Sequence, residues 1–497
     1  MHAASISFGH SRQVAPVPRR IFGSFVEHLG RAVYTGIYEP GHPDADEDGF
    51  RRDVLRLVRE LGVTVVRYPG GNFVSGYRWE DGVGPRADRP RRLDLAWHSL
   101  ETNEIGLDEF MRWAGKANVE PMLAVNLGTR GVQEAVDLLE YANHGGGTRL
   151  SDRRRANGAE KPHGIRLWCL GNEMDGPWQT GHKTAMEYGR LAAETARAMR
   201  QFDPTLELVA CGSSSSAMPS FLEWERVVLQ ETIELVDMIS CHAYYAEEGG
   251  VDLASFLASA EDMDYFITSV TGVADSVAAA KRIDKRVMIS FDEWNVWYQK
   301  SAPSVPPSGE DWPVAPRLLE DNYNLADAVV VGGLLICLLR HSDRVAAACL
   351  AQLVNVIAPI MTEPGGRAWR QTTFHPFSLT SRHARGAVLS TSVTSTALQT
   401  ERFGSVRAVD AVATWDEATR EVATFIVNRD PSTPARVEFT FDGDAELIEA
   451  LTFGGDPYAR NTLDDPDRVE PAPNDSATTR SVEVPGCSWS CVRFRLA

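Results

Sequence analysis

Eight short apolar runs punctuate the first 355 residues, and their spacing limits the chain to very few folds. They are IFGSFVEH (21–28), VTVVRYP (63–69), PMLAVNL (121–127), IRLWCLGNE (165–173), LELVACG (206–212), DMISCHAY (237–244), RVMISFDEW (286–294) and AACLAQLVN (347–355). Each is short and apolar on both faces, which suits a parallel strand covered by helices. Between the first two, GFRRDVLRLVRELG places Phe50, Val54, Leu57, Val58 and Leu61 at helical spacing and stops at Gly62. KTAMEYGRLAAETARAMRQF (183–202) repeats that pattern. Eight strand–helix units predict an α/β fold, the (β/α)8 TIM barrel. An open doubly wound sheet is the alternative, but it wants a GxGxxG loop after a strand, and YPGGN (68–72) does not supply one.

At 497 residues the chain exceeds the usual single domain, so a second unit is expected. Past about residue 384 the period changes to two. ARVEFTFDG (435–443) alternates Val437, Phe439 and Phe441 with polar residues, and the C-terminal CVRFRLA alternates Val492, Phe494 and Leu496 with arginines. That is the pattern of an antiparallel β-sandwich of jelly-roll type. ISF at 6–8 alternates in the same way. The expected division is residues 1–17 joining the sandwich, 18–383 forming the barrel and 384–497 the sandwich. SAPSVPPSGEDWP (301–313) reads as a long loop after the seventh strand, on the side where barrel sites lie.

Fifty Lys and Arg against 68 Asp and Glu give a formal charge of −18, which repels phosphate backbones and anionic membrane surfaces. Neither nucleic acid nor membrane is expected as a partner. The longest apolar run, VVVGGLLICLL (329–339), is too short to span a bilayer, and MHAASISFGHSRQV lacks a signal-peptide core, so a cytoplasmic location is expected. Seven cysteines form an odd set without a CxxC pair, and Cys169, Cys211, Cys241, Cys337 and Cys349 lie in apolar runs as reduced core residues. Cys487 and Cys491, four apart in a strand, stand about 13 Å from each other, too far for a disulfide.

The strand ends carry the chemistry. In a barrel the residues at the C-terminal ends of strands converge on one pocket. Here they include Glu27, His28, Arg67, Asn72, Asn126, Asn172, Glu173, His242, Tyr244, Glu293 and Gln352. Glu173 in GNEMDG and Glu293 in FDEWNVW end the fourth and seventh strands, which face each other. Opposed carboxyls suit glycoside hydrolysis, one protonating the leaving oxygen and the other attacking or guiding water. Trp178, Trp294, Trp297 and Tyr298 lie nearby in sequence and suit the apolar faces of sugar rings, although aromatics are also common core residues. A single strand-end Glu is more often a salt-bridge partner or a cap; two at opposed strands favour catalysis.

The stretches FGSFVEHLGRAVYTGIYEPGHP (22–43), VVRYPGGNFVSGYRWEDGVGP (65–85), LWCLGNEMDGPWQTGH (167–182), ISCHAYY (239–245), ISFDEWNVWY (289–298) and AQLVNVIAPI (351–360) resemble glycoside hydrolase family 51, the α-L-arabinofuranosidases. The resemblance implies a retaining, exo-acting enzyme that releases terminal arabinofuranosyl residues from oligo- or polysaccharides, with Glu173 as acid/base and Glu293 as nucleophile. It implies sugar-binding roles for Glu27, Arg67, Asn72, Asn172, Tyr244 and Gln352. It also implies an intracellular homo-oligomer, in the family commonly a hexamer, with a C-terminal β-sandwich.

Physical roles can be argued beside the resemblance. Glu293 must stay ionised to attack, and Arg67 and Tyr244 are candidate donors. Glu173 must begin protonated, which a negative neighbour favours, and Asn172 is placed to bind the sugar 2-hydroxyl. Arg67 could equally be a buried ion-pair partner, and His28 and His242 read as satisfied strand-end histidines. The chemistry needs no cofactor. A metal-dependent hydrolase usually needs paired ligands such as HxH, and the first strand offers only EH. CGSSSSAMP (211–219) lacks GxSxG and reads as a polar loop. A non-catalytic carbohydrate-binding protein would have no need of opposed glutamates. A related retaining glycosidase acting on β-xylosides or β-glucans is the remaining alternative.

Overall fold

The computed structural model describes residues 1–300 and 306–496. Eight parallel strands close into a barrel: Gly23–Phe25, Val65–Tyr68, Glu120–Ala124, Leu167–Leu170, Glu207–Ala210, Met238–Tyr245, Met288–Val296 and Val345–Leu350. They follow the apolar runs closely: Glu120 extends the third strand by one residue, Tyr245 the sixth by one, Asn295 and Val296 the seventh by two, and Val345 and Ala346 the eighth by two. Met122, Leu167, Cys169, Val209, Ala347 and Cys349 fill the barrel interior, while larger apolar side chains face the surrounding helices. A helix follows each strand. The first, Arg52–Leu61, begins two residues later than its periodicity suggests, because Phe50 is engaged in a bridge with Tyr38 instead. It ends at Gly62 in the left-handed conformation, whose N–H is donated to the Val58 carbonyl.

The β-rich unit packs two sheets. Ser392–Ser395, His2–Phe8, Ala435–Phe441 and Ser481–Val484 form one; the other has seven strands, with Val409–Asp416, Glu421–Asn428 and Ser488–Leu496 at its centre. His2–Phe8 runs parallel to Ala435–Phe441, a departure from a purely antiparallel sandwich. A strand supplied from the far end of the chain has no hairpin to dictate its direction. All seven cysteines are free and buried; Cys487 precedes its strand rather than lying within it.

The helix Leu325–Arg340 contains VVVGGLLICLL and is buried on nearly every side, because it lies between barrel and sandwich. That position explains an all-round apolar helix in a chain where no described helix is long and apolar enough to cross a membrane. Trp489 of the sandwich packs so tightly on Gly332 that a Cβ there would fall 2.2 Å from the indole. Residues 301–305 of the loop predicted at 301–313 lie outside the described residues; Pro306 lines the barrel's largest cavity.

Candidate active site

That cavity, about 630 Å³, opens at the C-terminal ends of the strands and is lined by Glu27, Asn72, Glu173, Trp178, Tyr244, Glu293, Trp297 and Gln352 among others. The seventh strand presents Glu293 with two donors: Arg67 Nη1 donates to Oε1 at 2.6 Å and Tyr244 Oη to Oε2 at 2.8 Å. Burial, reinforced by Glu293 and Glu173, pushes the Tyr244 phenol up, so it remains a donor. Arg67 is buried beneath the cavity rather than lining it, and its Nη2 donates to Asn172 Oδ1 at 2.7 Å. Asn172 likewise lies just behind the cavity wall, its Nδ2 donating to Gln179 Oε1 at 3.3 Å. Both are therefore engaged with protein groups.

Glu173 has a left-handed backbone, φ 43°, an unfavourable conformation for a residue with a Cβ. The turn it makes at the end of the fourth strand carries its carboxyl into the cavity. Oε2 accepts from Trp178 Nε1 at 2.6 Å and Oε1 from His242 Nδ1 at 2.9 Å. Carboxylate oxygens of Glu173 and Glu293 come within 4.8 Å of each other. Gly71 keeps the floor open: a Cβ there would stand 3.1 Å from Glu293 Oε1 and 3.4 Å from Glu27 Oε2.

His242 is the group that strand-end logic undervalued. Its Nε2 donates to Asp292 Oδ1 at 2.9 Å, and Nδ1 also lies 3.6 Å from Glu293 Oε2. Burial disfavours its cation, but Glu293 and the hydrogen bonds to Asp292 and Glu173 outweigh that and lift it to about 10. Burial would raise the Asp292 carboxyl; Arg67 and His242 overcome it and hold it low. Glu173, His242 and Glu293 are close enough to suggest a metal triad. They fit one poorly, since a protonated imidazole offers no lone pair and the Arg67 guanidinium already occupies Glu293.

Glu27 is almost fully buried at the cavity wall. Oε1 accepts from Phe73 N–H at 2.9 Å and Trp97 Nε1 at 3.0 Å, and Oε2 from Gln352 Nε2 at 3.1 Å. Burial, with the charge of Glu293 adding to it, pushes this carboxyl up to about 8 despite those donors. Trp97, absent from the sequence reading, sits in a hairpin loop of the second connection.

Three of the strand-end expectations fail. Trp294 is fully buried among the outer helices, because the residue next to an inward Glu293 faces outward. Tyr298 donates to Asp327 at 2.6 Å, and Asn126 Nδ2 donates to the Tyr77 carbonyl. His28 pairs with Glu101 and Tyr68, a satisfied histidine. Ser214 and Ser215 of the serine run line the cavity, and the Ser214 N–H and hydroxyl donate to Asp175.

Comparison with known proteins is decisive. An α-L-arabinofuranosidase 1 domain matches residues 57–264, and an α-L-arabinofuranosidase C-terminal domain matches 292–488. An intracellular exo-α-(1→5)-L-arabinofuranosidase of Streptomyces lividans is 58% identical over 99% of this chain and 75% of its own. The chain belongs to the family 51 α-L-arabinofuranosidases. An exo-α-(1→6)-L-arabinofuranosidase of Bifidobacterium longum is 57% identical over 97% of this chain and 95% of its own. The solved structure of a family 51 α-L-arabinofuranosidase from Bifidobacterium longum, 52% identical, superposes over the full length of both chains with a TM-score of 0.96. Membership accounts for a barrel whose strand ends carry two glutamates; these relatives do not favour the β-xyloside or β-glucan alternative.

Proposed function

We propose that the chain is a retaining, exo-acting α-L-arabinofuranosidase in which Glu293 is the nucleophile and Glu173 the acid/base. The observation that carries this reading is the approach of a carboxylate oxygen of Glu173 to within 4.8 Å of one of Glu293. Retaining glycosidases hold theirs about 5–5.5 Å apart, whereas inverting enzymes need about 6.5–9.5 Å to admit a water. Charge balance supports the division of roles. Two buried cations, Arg67 and His242, face three carboxylates, Asp292, Glu293 and Glu173, so the cluster is neutral when one of them holds a proton. Arg67 and Tyr244 both donate to Glu293, which suits it to the attacking part, and Glu173 is the remaining carboxyl to serve as proton donor. His242, a cationic donor, lies on Oε1 and the neutral Trp178 indole on Oε2, so the proton is favoured on Oε2.

Attack by Glu293 on the anomeric carbon transfers the Glu173 proton to the departing sugar. Glu173, now a carboxylate, draws a proton from water as that water cleaves the glycosyl ester, and Glu293 is released with the anomeric configuration retained. Glu27, Asn72, Gln352, Trp178 and Trp297 would bind the sugar from the cavity walls, with Arg67, Asn172 and Tyr244 fixing the carboxylates. We further infer a catalytic unit of residues 18–383 with 1–17 and 384–497 as its sandwich, an intracellular location and a homo-oligomer, a hexamer by resemblance. Linkage is left open, because relatives named for (1→5) and (1→6) activity are almost equally similar. A panel of aryl glycosides tests the substrate: turnover of the α-L-arabinofuranoside should far exceed that of the β-D-xylopyranoside, and the reverse order would overturn the reading.

A further inference from the structure

Next to the catalytic cavity lies a second one of about 310 Å³, and the two share Asn72 and Ala96 as a common wall. The loop after Glu173 connects them along the acid side. Trp178 donates to Glu173 and lines the first cavity, and Thr180, two residues on, lines the second. A saccharide whose scissile oxygen rests on Glu173, and whose leaving part follows this loop past Trp178, would come next to Thr180 at the second cavity.

The lining of the second cavity suits a neutral sugar. Arg78 opens onto it with no hydrogen bond or ion pair from its side chain to any described residue. Thr180 adds a hydroxyl, while Phe73 and Leu95 supply apolar surface. A few polar groups on an apolar wall are what ligand cavities present. Asp81, Asp94 and Glu101 also line it, which disfavours an anion. We propose that this cavity binds the sugar residues beyond the one released with the scissile oxygen, so that the enzyme prefers pentose oligosaccharides long enough to reach it.

This inference rests on the arabinofuranosidase reading, and one experiment separates the two. The kcat/KM of the intact chain would be measured on an aryl α-L-arabinofuranoside, arabinobiose and arabinotriose, with Arg78→Ala and Thr180→Val as variants. The expected result is a rise of about tenfold from arabinobiose to arabinotriose, the worth of roughly one good polar contact. That gain should be lost in Arg78→Ala and reduced in Thr180→Val, with aryl glycoside turnover unchanged in both, which also shows that the variants are folded. Equal kcat/KM on the two saccharides would overturn the second site while leaving the activity intact, as would variants that lose aryl and trisaccharide turnover alike. Failure of the unmodified enzyme to cleave the aryl arabinofuranoside would instead overturn the proposed function.

Discussion

Replacing His242 by alanine removes a cation held 2.9 Å from Glu173 and 3.6 Å from Glu293. In the first chemical step negative charge leaves Glu293 and appears on Glu173, so it moves toward that cation. At an effective dielectric near 20, a unit charge interacts with it by about 4.6 kcal/mol at 3.6 Å and about 5.7 kcal/mol at 2.9 Å. The difference, about 1 kcal/mol, favours the step roughly sixfold. The hydrogen bond to Glu173 becomes one between two charged partners as the proton leaves, and hydrogen bonds to charged groups are worth about 1.5–3 kcal/mol. Together these predict a fall in kcat of about 10²-fold or more for His242→Ala, with a much smaller change in KM. His242→Asn keeps a neutral donor near the Nδ1 position and should recover part of the loss. Because fewer cations then face the carboxylates, the acidic limb of the kcat/KM profile should move to higher pH in both variants. Steady-state kinetics from pH 4 to 9 would decide. An alanine variant within threefold of the parent enzyme, with an unmoved profile, would refute this account of His242.

The two glutamates should differ in what their removal leaves. Glu173→Ala should still form the glycosyl-enzyme from a dinitrophenyl arabinofuranoside, and azide should restore turnover with retained configuration; azide with Glu293→Ala should give an inverted product. The Glu173 defect on natural substrates should be about 10²–10⁴-fold, and equal, unrescued losses in both variants would reverse or cancel these roles. Glu27 provides a stability test. Its folded carboxyl keeps its proton to about pH 8, against an ordinary value of 4.5, so between those limits the unfolded chain ionises first and folding becomes less favourable as pH rises. Glu27→Gln cannot ionise, so its melting temperature relative to the parent protein should climb from pH 4.5 to 8; a constant gap would contradict the buried, neutral carboxyl.

Parallel strands buried on both faces leave an unbroken apolar signature, so all eight barrel strands were legible in the sequence. The glutamates were legible because strand ends converge. His242 could have been found as well, since it lies two residues before Tyr244 on one strand and must share its inward face. Asp292 could not: alternation puts it opposite Glu293, but the pairing of the seventh strand with the eighth shifts register between Phe291 and Trp294, and that irregularity lets consecutive carboxylates both turn inward. The same alternation, applied to Trp294, would have removed it from the candidates. Trp97 reaches Glu27 from a long connection whose path no periodicity encodes. The serine run and Asn126 carry polar side chains for loop hydrogen bonds, a need as common as catalysis and indistinguishable from it by residue type.

Proton NMR of the first sugar released from an aryl α-L-arabinofuranoside tests the central claim most directly. Carboxylate oxygens within 4.8 Å of each other match the close spacing of a retaining enzyme, so double displacement through Glu293 predicts that α-L-arabinofuranose appears first and then mutarotates. The β anomer appearing first would mean that water, and not Glu293, makes the attack.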